Sequence, residues 1–90
     1  MISEIKNNAS GLLLGIQNMS INDGSGALIW SDNGSSDHLW QIVSAGSGEY
    51  KIENYNSGLV LGVQNESTSS GAQVVQWDDN GTPDHLWTIA

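Results

Sequence analysis

The 90-residue chain has no cysteine, no arginine and no phenylalanine, and only one proline and two lysines. Without cysteine there is neither a disulfide framework nor a thiolate metal site, so thiol chemistry does not report the compartment. The two lysines stand against ten carboxylates, for a formal net charge of −8. Such a surface repels phosphate backbones and acidic headgroups, which argues against nucleic acid as a partner. No segment approaches the roughly 20 consecutive apolar residues that span a bilayer, so membrane insertion is not expected. The opening MISEIKNN lacks the basic stretch and apolar run of a signal peptide, and localisation stays open, secretion as part of a larger protein included. Ninety residues make one small domain with a thin core.

What is present is turn chemistry. Eleven glycines, nine asparagines and many serines separate short apolar runs, too closely for helices of ordinary length. No sustained 3.6 period appears, and the chain reads as all-β. Sliding the sequence over itself by 47 positions aligns residues 5–42 with 52–89 without a gap, roughly half of them identical. SGLLLGIQN matches SGLVLGVQN, IWSDNG matches QWDDNG, and DHLWQI matches DHLWTI. Residues 1–90 are therefore expected to form a single module of two tandem repeats.

Each copy is predicted to hold four short strands, in the second copy Glu49 to Asn54, Leu59 to Gln64, Val74 to Asp78 and Leu86 to Ala90. Leu59, Leu61 and Val63 alternate with smaller residues, as in a strand with one face in a core. Ser57-Gly58, Ser70-Gly71 and Asn80-Gly81 mark turns, because glycine and asparagine tolerate positive φ. A four-stranded unit of this size cannot bury its own apolar face, so the copies must pack around a shared core.

The order of features, an apolar SGLVLGV strand, then VVQW, DNG and DHLW, resembles the ricin B-type lectin repeat and the carbohydrate-binding modules appended to bacterial glycosidases. The resemblance covers nearly the whole chain. The family's Gln-x-Trp triplet is represented by His38-Leu39-Trp40 and His85-Leu86-Trp87, with histidine in place of glutamine. Three such repeats form a β-trefoil, a closed barrel capped by three hairpins, with a shallow sugar pocket available in each repeat. Only two repeats are present here. The resemblance thus implies a trefoil completed by oligomerisation, a homotrimer of pooled repeats being favoured, or a fragment of a longer polypeptide. It implies galactose, N-acetylgalactosamine or lactose-like glycans as partners, and no cofactor.

Neutral sugars present hydroxyl groups and one weakly apolar C–H face, so a site needs an aromatic plate and fixed polar groups at its rim. By resemblance, Trp30 and Trp77 hold the stacking position, and Asp37 with His38, and Asp84 with His85, hold the paired polar positions. Asn33 and Asn80, in the Asp-Asn-Gly turns, are rim candidates. Trp40 and Trp87 fall at core positions of the family pattern. The family's sugar-gripping aspartate corresponds to Gly15 and Gly62, so one carboxylate per pocket is expected to have moved to Asp37 and Asp84. Bare glycine there is expected to let a ligand approach the backbone.

Each residue also has a structural reading. Asp37 and Asp84 can bond nearby backbone N–H groups, His38 and His85 can satisfy a backbone carbonyl, and the Asp-Asn-Gly segments are turn signals in their own right. If Trp77 faces a pocket, alternation sends Gln76 inward, where its counterpart Ile29 is apolar, and a buried Gln76 requires partners. Asp32, Asp78 and Asp79 lack the spacing for convergent calcium ligands, and no metal is expected. Catalysis is not expected either, because neighbours along a strand point to opposite faces and an Asp-His dipeptide builds no catalytic pair by itself. The competing function is a structural or protein-interaction trefoil with inactive pockets.

Overall fold

A computed structural model describes residues 2–89. These form eight strands and four 3-10 turns, with no α-helix among the described residues. The first copy holds β1 (Ile2–Ser3), β2 (Leu13–Ile16), β3 (Ala27–Trp30) and β4 (Trp40–Gly46). The second holds β5 (Glu49–Asn54), β6 (Val60–Val63), β7 (Val74–Trp77) and β8 (Trp87–Thr88). The predicted strands are found, trimmed at their ends; Ala90, the predicted end of the last one, lies outside the described residues.

Strand pairing repeats with the sequence. Ile2 faces Gln41 and Ser3 faces Trp40 in the first copy; Glu49 faces Thr88 and Tyr50 faces Trp87 in the second. The β2–β3 hairpin pairs Leu13 with Trp30, as β6–β7 pairs Val60 with Trp77. A hairpin from β4 to β5 joins the copies, with a bulge between Ser44 and Gly46. Its tip, Gly46, Ser47 and Gly48, runs through three successive positive φ values of 87°, 55° and 78°, which glycine adopts at little steric cost and serine only under strain.

Ile16, Trp40, Ile52 and Leu61 form the buried core, drawn from both copies as a shared core requires. The Trp40 indole N–H donates to the Leu14 carbonyl and that of Trp87 to the Leu61 carbonyl, each at 2.9 Å. Their positions are equivalent, yet Trp40 is fully buried and Trp87 only partly so. The expected one-sided burial of β6 is corrected: Leu61 enters the core, but Val60 is also buried. The face shared by Val60 and Gly62 is not solvated, because the 3-10 turn Pro83–His85 packs on this strand.

Two of the partners that Gln76 requires come from the first copy and one from its own. Its side chain has no exposed surface. Nε2 donates to the carbonyls of Ser20 and Asn22 at 2.9 and 3.0 Å, and Oε1 accepts from Ser57 Oγ at 2.7 Å. A fully satisfied buried amide ties one copy to the next, since leaving any of these groups without a partner would cost about 1–3 kcal/mol.

Candidate functional site

Two pockets open at equivalent places, and together they gather all eight predicted site residues. Trp30, Asn33, Asp37 and His38 line a hollow of about 450 Å³. Trp77, Asn80, Asp84 and His85 line one of about 170 Å³. In each, a strand ends in an outward tryptophan, a turn follows with glycine at positive φ (Gly34 at 78°, Gly81 at 80°), and a 3-10 turn carries the Asp-His pair back beneath it. Trp30 is 54% exposed and Trp77 41% exposed, as large aromatic plates beside polar groups.

The Asp-His pairs lie in the 3-10 turns Ser36–His38 and Pro83–His85, not in strands. This corrects the expectation of opposite faces: His38 Nε2 lies 3.5 Å from Asp37 Oδ2, and His85 Nε2 3.3 Å from Asp84 Oδ2. The tight turn brings consecutive side chains together where a pleated strand would separate them. The glycine reading is corrected as well. A Cβ on Gly15 would stand 2.4 Å from His38 Cδ2, and one on Gly62 2.3 Å from His85 Cδ2. Glycine therefore makes room for the histidine ring, and that ring occupies the space assigned to a close ligand.

Both carboxylates are fastened to the protein. Asp37 Oδ2 accepts from the Ile16 N–H at 3.2 Å and Oδ1 from Ser35 Oγ at 2.6 Å. Asp84 accepts from the Val63 N–H and from Thr82 Oγ1 in the same arrangement. Burial pushes the Asp84 carboxyl up, but the Thr82 hydroxyl, the His85 ring and the Val63 N–H outweigh it and hold the group below its ordinary value. Asp37, His38 and His85 are almost completely buried. Nδ1 of each histidine is buried without a hydrogen-bond partner among the described residues. At the rim, Asn33 Oδ1 accepts from the Ser35 N–H and Asn80 Oδ1 from the Thr82 N–H. These bonds occupy the amide oxygens and turn the NH₂ groups to other uses.

Sequence reasoning missed further lining residues. Asn18 and Met19 line the first pocket and Asn65 and Glu66 the second. All four have φ between 52° and 57°, a left-handed conformation that is uncommon for asparagine and an outlier for larger side chains. The signal was the identical Gln-Asn pair after each apolar strand, Gln17-Asn18 and Gln64-Asn65. Gly24 crosses from the first copy into the second copy's pocket, where a Cβ in its place would stand 3.5 Å from the Trp77 ring. No three or more of the described His, Asp and Glu residues are grouped to hold a metal.

The chain matches the family model described as ricin-type beta-trefoil lectin domain-like, over residues 3–77 and again over 44–90. It belongs to that family. The ricin-type lectin-like fold is a carbohydrate-binding module at the family level and is generally non-enzymatic. No curated protein matches the chain. Among solved structures, the designed 3-fold symmetric protein ThreeFoil is 33% identical with a TM-score of 0.94, over 97% of this chain and 62% of its own. The exo-beta-1,3-galactanase 1,3Gal43A from Clostridium thermocellum is 29% identical with a TM-score of 0.95, over 99% of this chain and 19% of its own. A Polyporus squamosus lectin, solved with the epitope Neu5Aca2-6Galb1-4GlcNAc, shares the fold at 20% identity and a TM-score of 0.82, over 97% of this chain and 30% of its own. This chain thus spans under two thirds of each of these proteins.

Proposed function

We propose that the chain is a sugar-binding lectin module that recognises galactose-type sugars in two shallow pockets, one per copy. The observation that carries this reading is the recurrence, in both pockets, of an exposed tryptophan plate above a closely apposed Asp-His pair. Trp30 and Trp77 stack on the C–H face of the ring. The NH₂ groups of Asn33 and Asn80 donate to sugar hydroxyls. Asp37 and Asp84 keep lone pairs beyond those already used, and charge-assisted bonds to hydroxyls are stronger than neutral ones. The His38 and His85 rings pack beside the carboxylates. The likeness to a galactanase supports galactose, with N-acetylgalactosamine and lactose as further candidates. This reading is of a binding site, and chromogenic glycosides are expected to release nothing.

Each shallow site is weak, so several on one assembly raise apparent affinity through effective concentration. A homotrimer pooling six repeats into two trefoils supplies that valency. The test is a titration with galactose, N-acetylgalactosamine and lactose, following tryptophan fluorescence against a non-binding sugar. A saturable change is expected at millimolar sugar or below, about −4 kcal/mol or better. A second reading, a structural or protein-interaction module with inactive pockets, is favoured by the burial of Asp37 and His38. No response from folded protein would select it.

A further inference from the structure

Within the chain, the first copy docks on the second through the loop of residues 20–26. Gly24 N–H donates to the Gln76 carbonyl at 2.8 Å, the Gln76 N–H donates to the Ser25 carbonyl at 3.0 Å, and Gly26 bridges Val75. The equivalent loop of the second copy, residues 67–73, has the same shape. Gly71 and Gly24 share a φ of 88°. Ser69 N–H donates to Ser67 Oγ at 3.1 Å, as Asn22 N–H does to Ser20 Oγ at 3.0 Å. The loop is therefore preformed for docking, and ordering it on contact costs little.

The surface that would receive it is also built. Ile29 and Trp30 are 44% and 54% exposed, where their counterparts Gln76 and Trp77 are 0% and 41%. Between this surface and the loop lies an apolar cleft of about 410 Å³, walled by Leu14, Leu28, Ile29, Leu61, Val74 and Trp87.

The two faces also match each other residue by residue. At the inner junction Ser36 Oγ bonds Asn56 Oδ1; the counterparts on the open faces are Pro83 and Ala9, both apolar. The inner junction sets the Asp23 and Asp78 carboxyls side by side, whereas the open faces carry Ser70 and Ser31. The bond from Asn54 Nδ2 to the Asp37 carbonyl has its counterparts intact in Asn7 and Asp84. Where one face loses a polar group, the other loses its partner, and the like-charged pair disappears from both.

We propose that the open face is an interface between copies of this chain. Residues 67–73 of one copy lie across Ile29 and Trp30 of another, so that Gly71 closes the first pocket in trans as Gly24 closes the second in cis. The trans-completed pocket rests on the sugar-binding reading; the interface itself does not. A three-repeat ring has room for one more repeat and this chain carries two, so the incoming copy must open at the strained Gly46-Ser47-Gly48 tip and share its repeats between two rings. Three chains then complete both.

The test needs no sugar, so a protein that assembles this way yet ignores sugar separates the two readings. Light scattering on the whole chain is expected to give about three times 9.6 kDa. The trans counterpart of the Gly26–Val75 bridge is Gln73 against Leu28, and the chain has no native cysteine. Oxidising a mixture of Q73C and L28C is expected to yield a disulfide-linked two-chain species. The variant I29K, at a site exposed in the single chain, is expected to stay folded and fall to the one-chain mass. A one-chain mass for the unmodified protein overturns the proposal. So does a larger mass that gives no cross-link or that I29K leaves unchanged.

Discussion

Ile29 and Gln76 occupy the same place in equivalent strands, and Trp30 and Trp77 follow them, yet the second pair sits deeper in the protein than the first. The difference lies in the neighbour, not in the strand. The second copy is covered by residues 20–26 of the first, which bury Gln76, bring Gly24 to Trp77 and narrow the pocket from about 450 to about 170 Å³. Among the described residues the first copy has no such cover. A repeat of this kind is a local hairpin unit whose burial and pocket shape are finished by the next unit in the ring.

The largest expected effect contrasts the two closing tryptophans. Trp40→Ala empties a completely buried site and is expected to cost about 3–5 kcal/mol, whereas the same change at the partly buried Trp87 costs about half as much. Urea denaturation of both variants measures the gap, and equal losses would deny the asymmetry. Next comes the junction. Gln76→Ala strands two carbonyls and a hydroxyl and is expected to lose about 1–3 kcal/mol, while Ile29→Ala stays within about 0.5 kcal/mol in a single chain.

A smaller contrast is electrostatic. Asp79 lies below its ordinary pKa, chiefly through the Lys51 ammonium at 2.8 Å, and Asp84 lies below through its own bonds. Both folded-state values are depressed, so their contribution to stability is present above the unfolded carboxylate pKa of about 4 and is lost as pH falls through the lower folded values. Thermal unfolding between pH 6 and 2 is expected to show the melting temperature falling below about pH 4. In K51M the part of that fall due to Asp79 should shrink. The first copy has Glu4 where the second has Lys51, and cannot make this ion pair.

Much of this was legible in the sequence. The repeat and the all-β class followed from the self-alignment and the turn residues, and the residues that line the pockets from the resemblance to the ricin B-type repeat. Three things were not legible. The Asp-His pair was read as a strand because its spacing alone does not reveal a 3-10 turn. The glycine opposite it was read as a gap because the ring that fills it comes from residues 23 positions further along in both copies. The Ser20 and Asn22 carbonyls that Gln76 bonds and the closing Gly24 belong to the other repeat, and no window along one copy contains them.

The most direct measurement follows the four indole N–H resonances in a two-dimensional NMR titration with galactose. Trp40 and Trp87 are committed to the Leu14 and Leu61 carbonyls, away from the linings of the two pockets, while Trp30 and Trp77 stand at the surface. The account predicts saturable shifts for Trp30 and Trp77 and stationary signals for Trp40 and Trp87. Four stationary signals, or movement confined to Trp40 and Trp87, would contradict it.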